Sequence, residues 1–184
     1  MKELSLNILD VAENSVKAGA SLTKIIINET EETLTLMIVD DGCGMSEDVV
    51  RAVTDPFYTT RTTRSVGLGV PLLKLAAEQT GGRLTVESST AENYHGTAVT
   101  ATFFKNHLDF TPLGDVISTI TTLIQGHPGT DFLFIHTLPG GEVSLDTREV
   151  REALGGEVPL DNFDVIMWIK GSLEEEYEAI GLTR

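Results

Sequence analysis

Two runs of aliphatic and β-branched residues, Lys24-Ile25-Ile26-Ile27 and Leu34-Thr35-Leu36-Met37-Ile38-Val39, flank the polar stretch Asn28-Glu29-Thr30-Glu31-Glu32. Such residues favour pleated strands, and the short polar break lets the second run fold back on the first, so the pattern predicts a β-hairpin. The neighbouring segments supply what a hairpin must pack against. Residues 3–18 place Leu4, Ile8, Leu9, Ala12 and Val16 at helical spacing, with Gly19 at a plausible stop. Residues 46–53 read as a short helix beginning at Ser46. Residues 54–66 are polar and loop-like, and residues 67–80 are helical, with Leu72, Leu73, Leu75 and Ala76 on the apolar side. Residues 83–88 and 97–104 read as two more strands joined by a polar loop.

The pattern changes near residues 106–112. A helix over 113–125 and a hairpin of 132–137 with 142–145 around Leu138-Pro139-Gly140-Gly141 follow. Two further helices come next, capped by Asp146 or Thr147 and by Asp161. This divides the chain into residues 1–106 and a small α+β unit at 107–184. Met167 and Trp168 are expected in the core of that unit, and the acidic run at 173–178 on a solvated helix face.

Charge narrows the partners. The 184 residues include 28 acidic and 13 basic side chains, a formal net charge of −15. A surface that tracks nucleic acid needs clustered Lys and Arg to displace counterions, so no nucleic-acid partner is expected. No apolar run reaches the roughly 18–20 residues that span a bilayer, and the start lacks an apolar signal core. The single cysteine, Cys43, suits a reducing compartment. A cytoplasmic protein with no membrane partner is the expectation.

Chemistry concentrates on the first helix. At about 100° per residue, Asp10, Asn14 and Lys17 share one face. Asn14 offers an oxygen to a hard cation such as Mg²⁺, Lys17 can reach a phosphate, and Asp10 can orient or deprotonate a nucleophile. After the second strand comes Asp40-Asp41-Gly42-Cys43-Gly44. An acid at a strand end can accept a hydrogen bond from an adenine amino group, and glycines let backbone approach the ring. Gly67-Leu68-Gly69 opens a helix whose free amides suit phosphate.

In order and spacing these elements resemble the GHKL ATPase superfamily, which includes gyrase, MutL, the heat-shock chaperone ATPase and histidine kinases. The run from Asp10 to Ala20 resembles its N box, and Asp40-x-Gly42-x-Gly44 its G1 box. Pro56-Phe57-Tyr58-Thr59-Thr60-Arg61 resembles the sensor-kinase F box, Gly67-Leu68-Gly69 the G2 box, and Gly96-Thr97 the late threonine-bearing element. The resemblance covers about residues 4–104 and is closest to the histidine-kinase-like ATP-binding domain. It implies the Bergerat fold, a two-layer α/β sandwich of the α+β class, binding ATP and Mg²⁺.

By that similarity Asn14 coordinates the metal, and Asp40 reads the adenine with help from Thr97. Gly42 and Gly44 shape the adenine pocket, Gly67, Leu68 and Gly69 supply amides at the lid end, and Lys17 and Arg61 are nucleotide contacts. Residues 54–66 would be the ATP lid, with Arg64 a further phosphate candidate. Ser65 stands where many kinases carry the first G2 glycine. Asp10 stands where gyrase and MutL relatives carry glutamate and many histidine kinases asparagine.

A histidine kinase carries its phosphoacceptor on a helical hairpin ahead of this domain. Here the N box begins almost at Met1, and none of His95, His107, His127 and His136 sits in a long helix beside an acid. The expectation is therefore a stand-alone phosphotransferase, like sensor kinases or anti-sigma kinases, acting on a separate protein partner. The alternative is a nucleotide-gated binding module with little catalysis.

Overall fold

The computed structural model describes residues 3–54 and 68–182. Helix α1 (Leu4–Lys17) buries Leu4, Ile8, Val11, Ala12 and Ser15, a stripe at three- and four-residue spacing. It ends at Gly19, whose φ of +75° only glycine adopts cheaply. The hairpin forms as its composition demands: β1 (Leu22–Glu29) pairs antiparallel with β2 (Thr33–Asp40), in a register that sets Ile25 opposite Ile38 and Ile27 opposite Leu36. The Thr30 hydroxyl accepts from the Thr33 amide at 2.9 Å and closes the turn.

Helix α2 (Glu47–Thr54) is short, and α3 (Gly69–Gln79) tolerates Pro71 because its first turn has no intrahelical acceptors to miss. Its buried stripe is Val70, Leu73 and Ala77. Leu75, expected on the apolar side, is 51% exposed, since it stands two residues, about 200° of turn, from both Leu73 and Ala77 and so faces solvent. Strands β3 (Arg83–Ala91) and β4 (Tyr94–Phe104) take in most of the polar loop expected between them and meet at a tight turn.

The sheet continues past residue 106. After α4 (Val116–Gly126), β5 (Asp131–Leu138) lies parallel to β1 from Leu22↔Asp131 to Asn28↔Thr137, and β6 (Gly141–Asp146) pairs antiparallel with β5. The result is one mixed six-stranded sheet in the order β3-β4-β2-β1-β5-β6. Alternate residues of its inner face, among them Ile25, Ile27, Leu36, Ile38, Val99, Ala101, Phe132 and Phe134, are buried in one continuous core with α1, α3 and α4.

Helices α5 (Thr147–Ala153) and α6 (Phe163–Ala179) complete the chain. Asp146 caps α5. Asn162, one residue beyond the expected Asp161, caps α6 by accepting from the Asp164 amide at 2.9 Å. The difference follows from a turn in which the Asn162 amide bonds the Pro159 carbonyl, carrying the chain one residue further before the helix starts. His136 is fully buried on β5, where its Nδ1 meets the Tyr177 hydroxyl at 2.7 Å and its Nε2 meets Glu29 at 3.1 Å. Lys105 bonds the other Glu29 oxygen at 2.9 Å. This cluster ties α6 and β5 to the end of β1.

Candidate functional site

The C-terminal half of α1 crosses the end of β2, and the Gly42–Gly44 turn passes beneath it. Together with α2, α3 and β4 they enclose a cavity of about 260 Å³. Asn14, Lys17, Asp40, Gly44 and Thr97, expected from the sequence to work together, all line it. Val11, Ile38, Met45, Val49, Val53, Val70 and Val99 make the rest of its wall largely aliphatic. A flat aromatic ring bearing one polar edge suits such a slot.

Asp40 is held in place from two sides. Ser15 Oγ donates to its Oδ2 at 2.7 Å, and the Gly42 amide donates to its Oδ1 at 2.9 Å. Adjacent Asp41 does something different. Its carboxylate accepts from the Ser21 and Leu22 amides at 2.8 and 2.9 Å and from the Ser21 hydroxyl, so it locks the start of β1. Burial opposes its charge, but those hydrogen bonds prevail and hold its carboxyl below the usual range. Of the two acids, only Asp40 lines the cavity.

Close contacts fix the glycines. A Cβ at position 44, where φ is +72°, would overlap the Ser89 carbonyl, and one at 96 would overlap the Asp40 carbonyl. At 42 it would lie 2.8 Å from the Ala18 side chain, and at 69 it would lie 2.9 Å from Asp10 Cβ. Gly69 therefore lets the start of α3 press against α1 beside Asp10. Asp10 itself is exposed, one turn before Asn14, and does not line the cavity. Leu68, at the N-cap of α3, is 69% exposed. Arg61, Arg64 and Gly67, with most of the expected lid, lie outside the described residues.

Three contributors escaped the sequence reading. Ser15 orients Asp40 as described. Ser88 accepts from the Met45 amide at 2.8 Å and shares a hydrogen bond of 2.9 Å with Thr97 Oγ1, joining the turn to β3 and β4. His95 Nδ1 lies 2.6 Å from the Gly42 carbonyl and clasps the same turn. The only trace of Ser15 in the sequence is a hydroxyl at an apolar-stripe position, four residues after Val11.

A metal bound with nucleotide would find a suitable donor. The Asn14 carboxamide is half-buried and makes no hydrogen bond to a described residue. No cluster of three or more His, Cys, Asp or Glu able to hold a metal occurs among the described residues.

The family model for the histidine kinase-, DNA gyrase B-, and HSP90-like ATPases matches residues 2–107, and the chain belongs to that family. Its curated relatives include sporulation kinase E of Bacillus subtilis, 31% identical over 88 residues, 48% of this chain and 12% of that protein. The C4-dicarboxylate transport sensor protein DctB of Pseudomonas aeruginosa is 36% identical over 82 residues, 44% of this chain and 13% of that protein. The chain thus spans only about an eighth of the length of these relatives.

Among solved structures, the Aquifex aeolicus MutL ATPase domain complexed with ADP superposes with a TM-score of 0.54 at 15% identity, covering 84% of this chain and 70% of that one. The N-terminal domain of a DNA repair protein gives 0.58 at 16%, covering 79% and 53%. These likenesses show the shared fold, and they take in more of the chain than the family model does. No described helix is long and apolar enough to cross a membrane.

Proposed function

We propose that the chain binds ATP with Mg²⁺ in the α1–β2 cavity and transfers the γ-phosphoryl group to a separate protein. The observation that carries this reading is the convergence of Asn14, Lys17, Asp40, Gly44 and Thr97 on one cavity, with Asp40 oriented by Ser15 and the Gly42 amide. Asp40 accepts from the adenine amino group through a remaining lone pair of a carboxylate that Ser15 and the Gly42 amide hold at the cavity wall. The aliphatic wall excludes water from the ring. Lys17, which has no ion pair among the described residues, is free to meet phosphate. Asn14 would hold the metal, which neutralises phosphate charge. Asp10, exposed beside the first turn of α3, would accept a proton from, or orient, an incoming hydroxyl.

Incubation with γ-labelled ATP, alone and with candidate partner proteins, tests this by scoring released phosphate and phosphoprotein separately. Label on a partner supports transfer, and nucleotide binding without label on any of them contradicts it.

A second reading is a nucleotide-gated binding module, in which nucleotide shifts the population of partner-binding conformations. It is favoured by Asp10 standing outside the cavity and by its short reach. The variant Asp10→Asn separates the two. A kinase loses transfer while keeping ATP, whereas a gated module keeps its nucleotide-dependent association.

A further inference from the structure

Helices α5 and α6 carry an apolar surface that the nucleotide site does not use. Val150, Ala153 and Leu154 from α5, with Val165 and Trp168 from α6, line a cavity of about 330 Å³ whose one charged lining residue is Asp164. Trp168 is 60% exposed and its neighbour Met167 is 47% exposed, against the expectation that both are core. The reason is geometric. Ile166, Ile169, Leu173 and Tyr177 already fill the inner face of α6, and steps of 100° turn residues 167 and 168 outward. An open apolar groove lined by an exposed tryptophan has the composition of an interface centre, where large aromatic side chains contribute most of the binding energy.

The charge around the groove selects its occupant. The segment from α5 to the start of α6 carries Glu149, Glu152, Glu157, Asp161 and Asp164. Its two arginines are engaged elsewhere, Arg148 by Asp146 at 2.6 Å and Arg151 by Asp131 at 2.7 Å. Asp164 lines the groove, and Glu149 and Glu152 adjoin its lining residues Val150 and Ala153 in sequence, so the segment that builds the groove carries a net negative charge. A second copy would bring the same acids face to face on chains of net charge −15, and anionic lipid would meet the same repulsion.

We infer that the α5–α6 groove docks an amphipathic segment of a separate protein, with a bulky apolar side chain seated against Trp168 and flanking Lys or Arg facing the acidic side chains of α5 and α6. This surface stands independently of the nucleotide reading.

Trp168 is the only tryptophan of the chain, so its fluorescence reports the groove. The probes are a synthetic amphipathic Leu/Lys helical peptide and a Leu/Glu peptide of the same pattern, titrated into the full chain. The expected result is a saturable blue shift with the Leu/Lys peptide and at least tenfold weaker binding of the Leu/Glu peptide. Ala153→Arg, at an exposed residue lining the groove, should weaken the Leu/Lys peptide about tenfold while leaving folding and ATP affinity unchanged. Equal binding of both peptides, an Ala153→Arg variant that binds as wild type, a blue shift with anionic vesicles but not with peptide, or self-association abolished by Ala153→Arg would each overturn the inference.

Discussion

Ser15 Oγ donates a 2.7 Å hydrogen bond to Asp40 Oδ2, joining the apolar stripe of α1 to the acid that ends β2. The serine is 3% exposed, so this bond forms away from solvent competition. It fixes one carboxylate oxygen at the cavity wall, and the Gly42 amide fixes the other. Ser15→Ala should weaken ATP binding about three- to tenfold, the worth of one ordinary hydrogen bond of roughly 1 kcal/mol, with the thermal midpoint little changed. Isothermal titration calorimetry checks it, and unchanged affinity would remove Ser15 from the site.

The turn after β2 is set by steric exclusion. Because a side chain at 44 or 96 would collide with backbone carbonyls, Gly44→Ala and Gly96→Ala should each destabilise the domain by several kcal/mol, on the order of other severe steric lesions. Gly19→Ala meets no atom and pays only for its positive φ, so about 1 kcal/mol is expected. Denaturant midpoints for the three variants should separate the first two from the third.

Glu29 makes stability depend on acid. Its hydrogen bond from His136 is the leading cause that lowers its pKa from 4.5 to about 2, with Lys105 assisting against the opposing cost of burial. A depressed carboxyl stabilises the fold above its unfolded pKa and loses that contribution as pH falls from about 4.5 towards 2. Glu29→Gln should lower stability at pH 7 by on the order of 2–3 kcal/mol and flatten the acid limb between those values. Chemical denaturation across pH 2–7, roughly the window set by linkage, compares the two proteins.

Much of this was legible from local pattern. The β1–β2 hairpin, α1 with its polar face of Asp10, Asn14 and Lys17, and the glycine turn after Asp40 each follow from residues close in sequence. Non-local relations were not. The pairing of Leu22 with Asp131 joins strands far apart in sequence, and nothing in either segment names its partner. Thus residues expected as a separate unit share the sheet of the first. Ser15 hid because a serine within an apolar stripe is unremarkable until its partner is seen. Trp168 misled for the converse reason: a large apolar residue is expected inside, and only the packed inner face of α6 shows that there was no room for it.

The central claim is that Asp40 reads the purine in the cavity it shares with Asn14. Asp40→Asn keeps the shape but removes the charge and one of the two oxygens, so it cannot accept from Ser15, the Gly42 amide and the adenine amino group together. ATP titration of wild type and Asp40→Asn, with circular dichroism to confirm equal folding, is the direct measurement. The expected result is a loss of affinity of at least a hundredfold in a folded variant, and ATP bound equally well by both proteins would contradict the site.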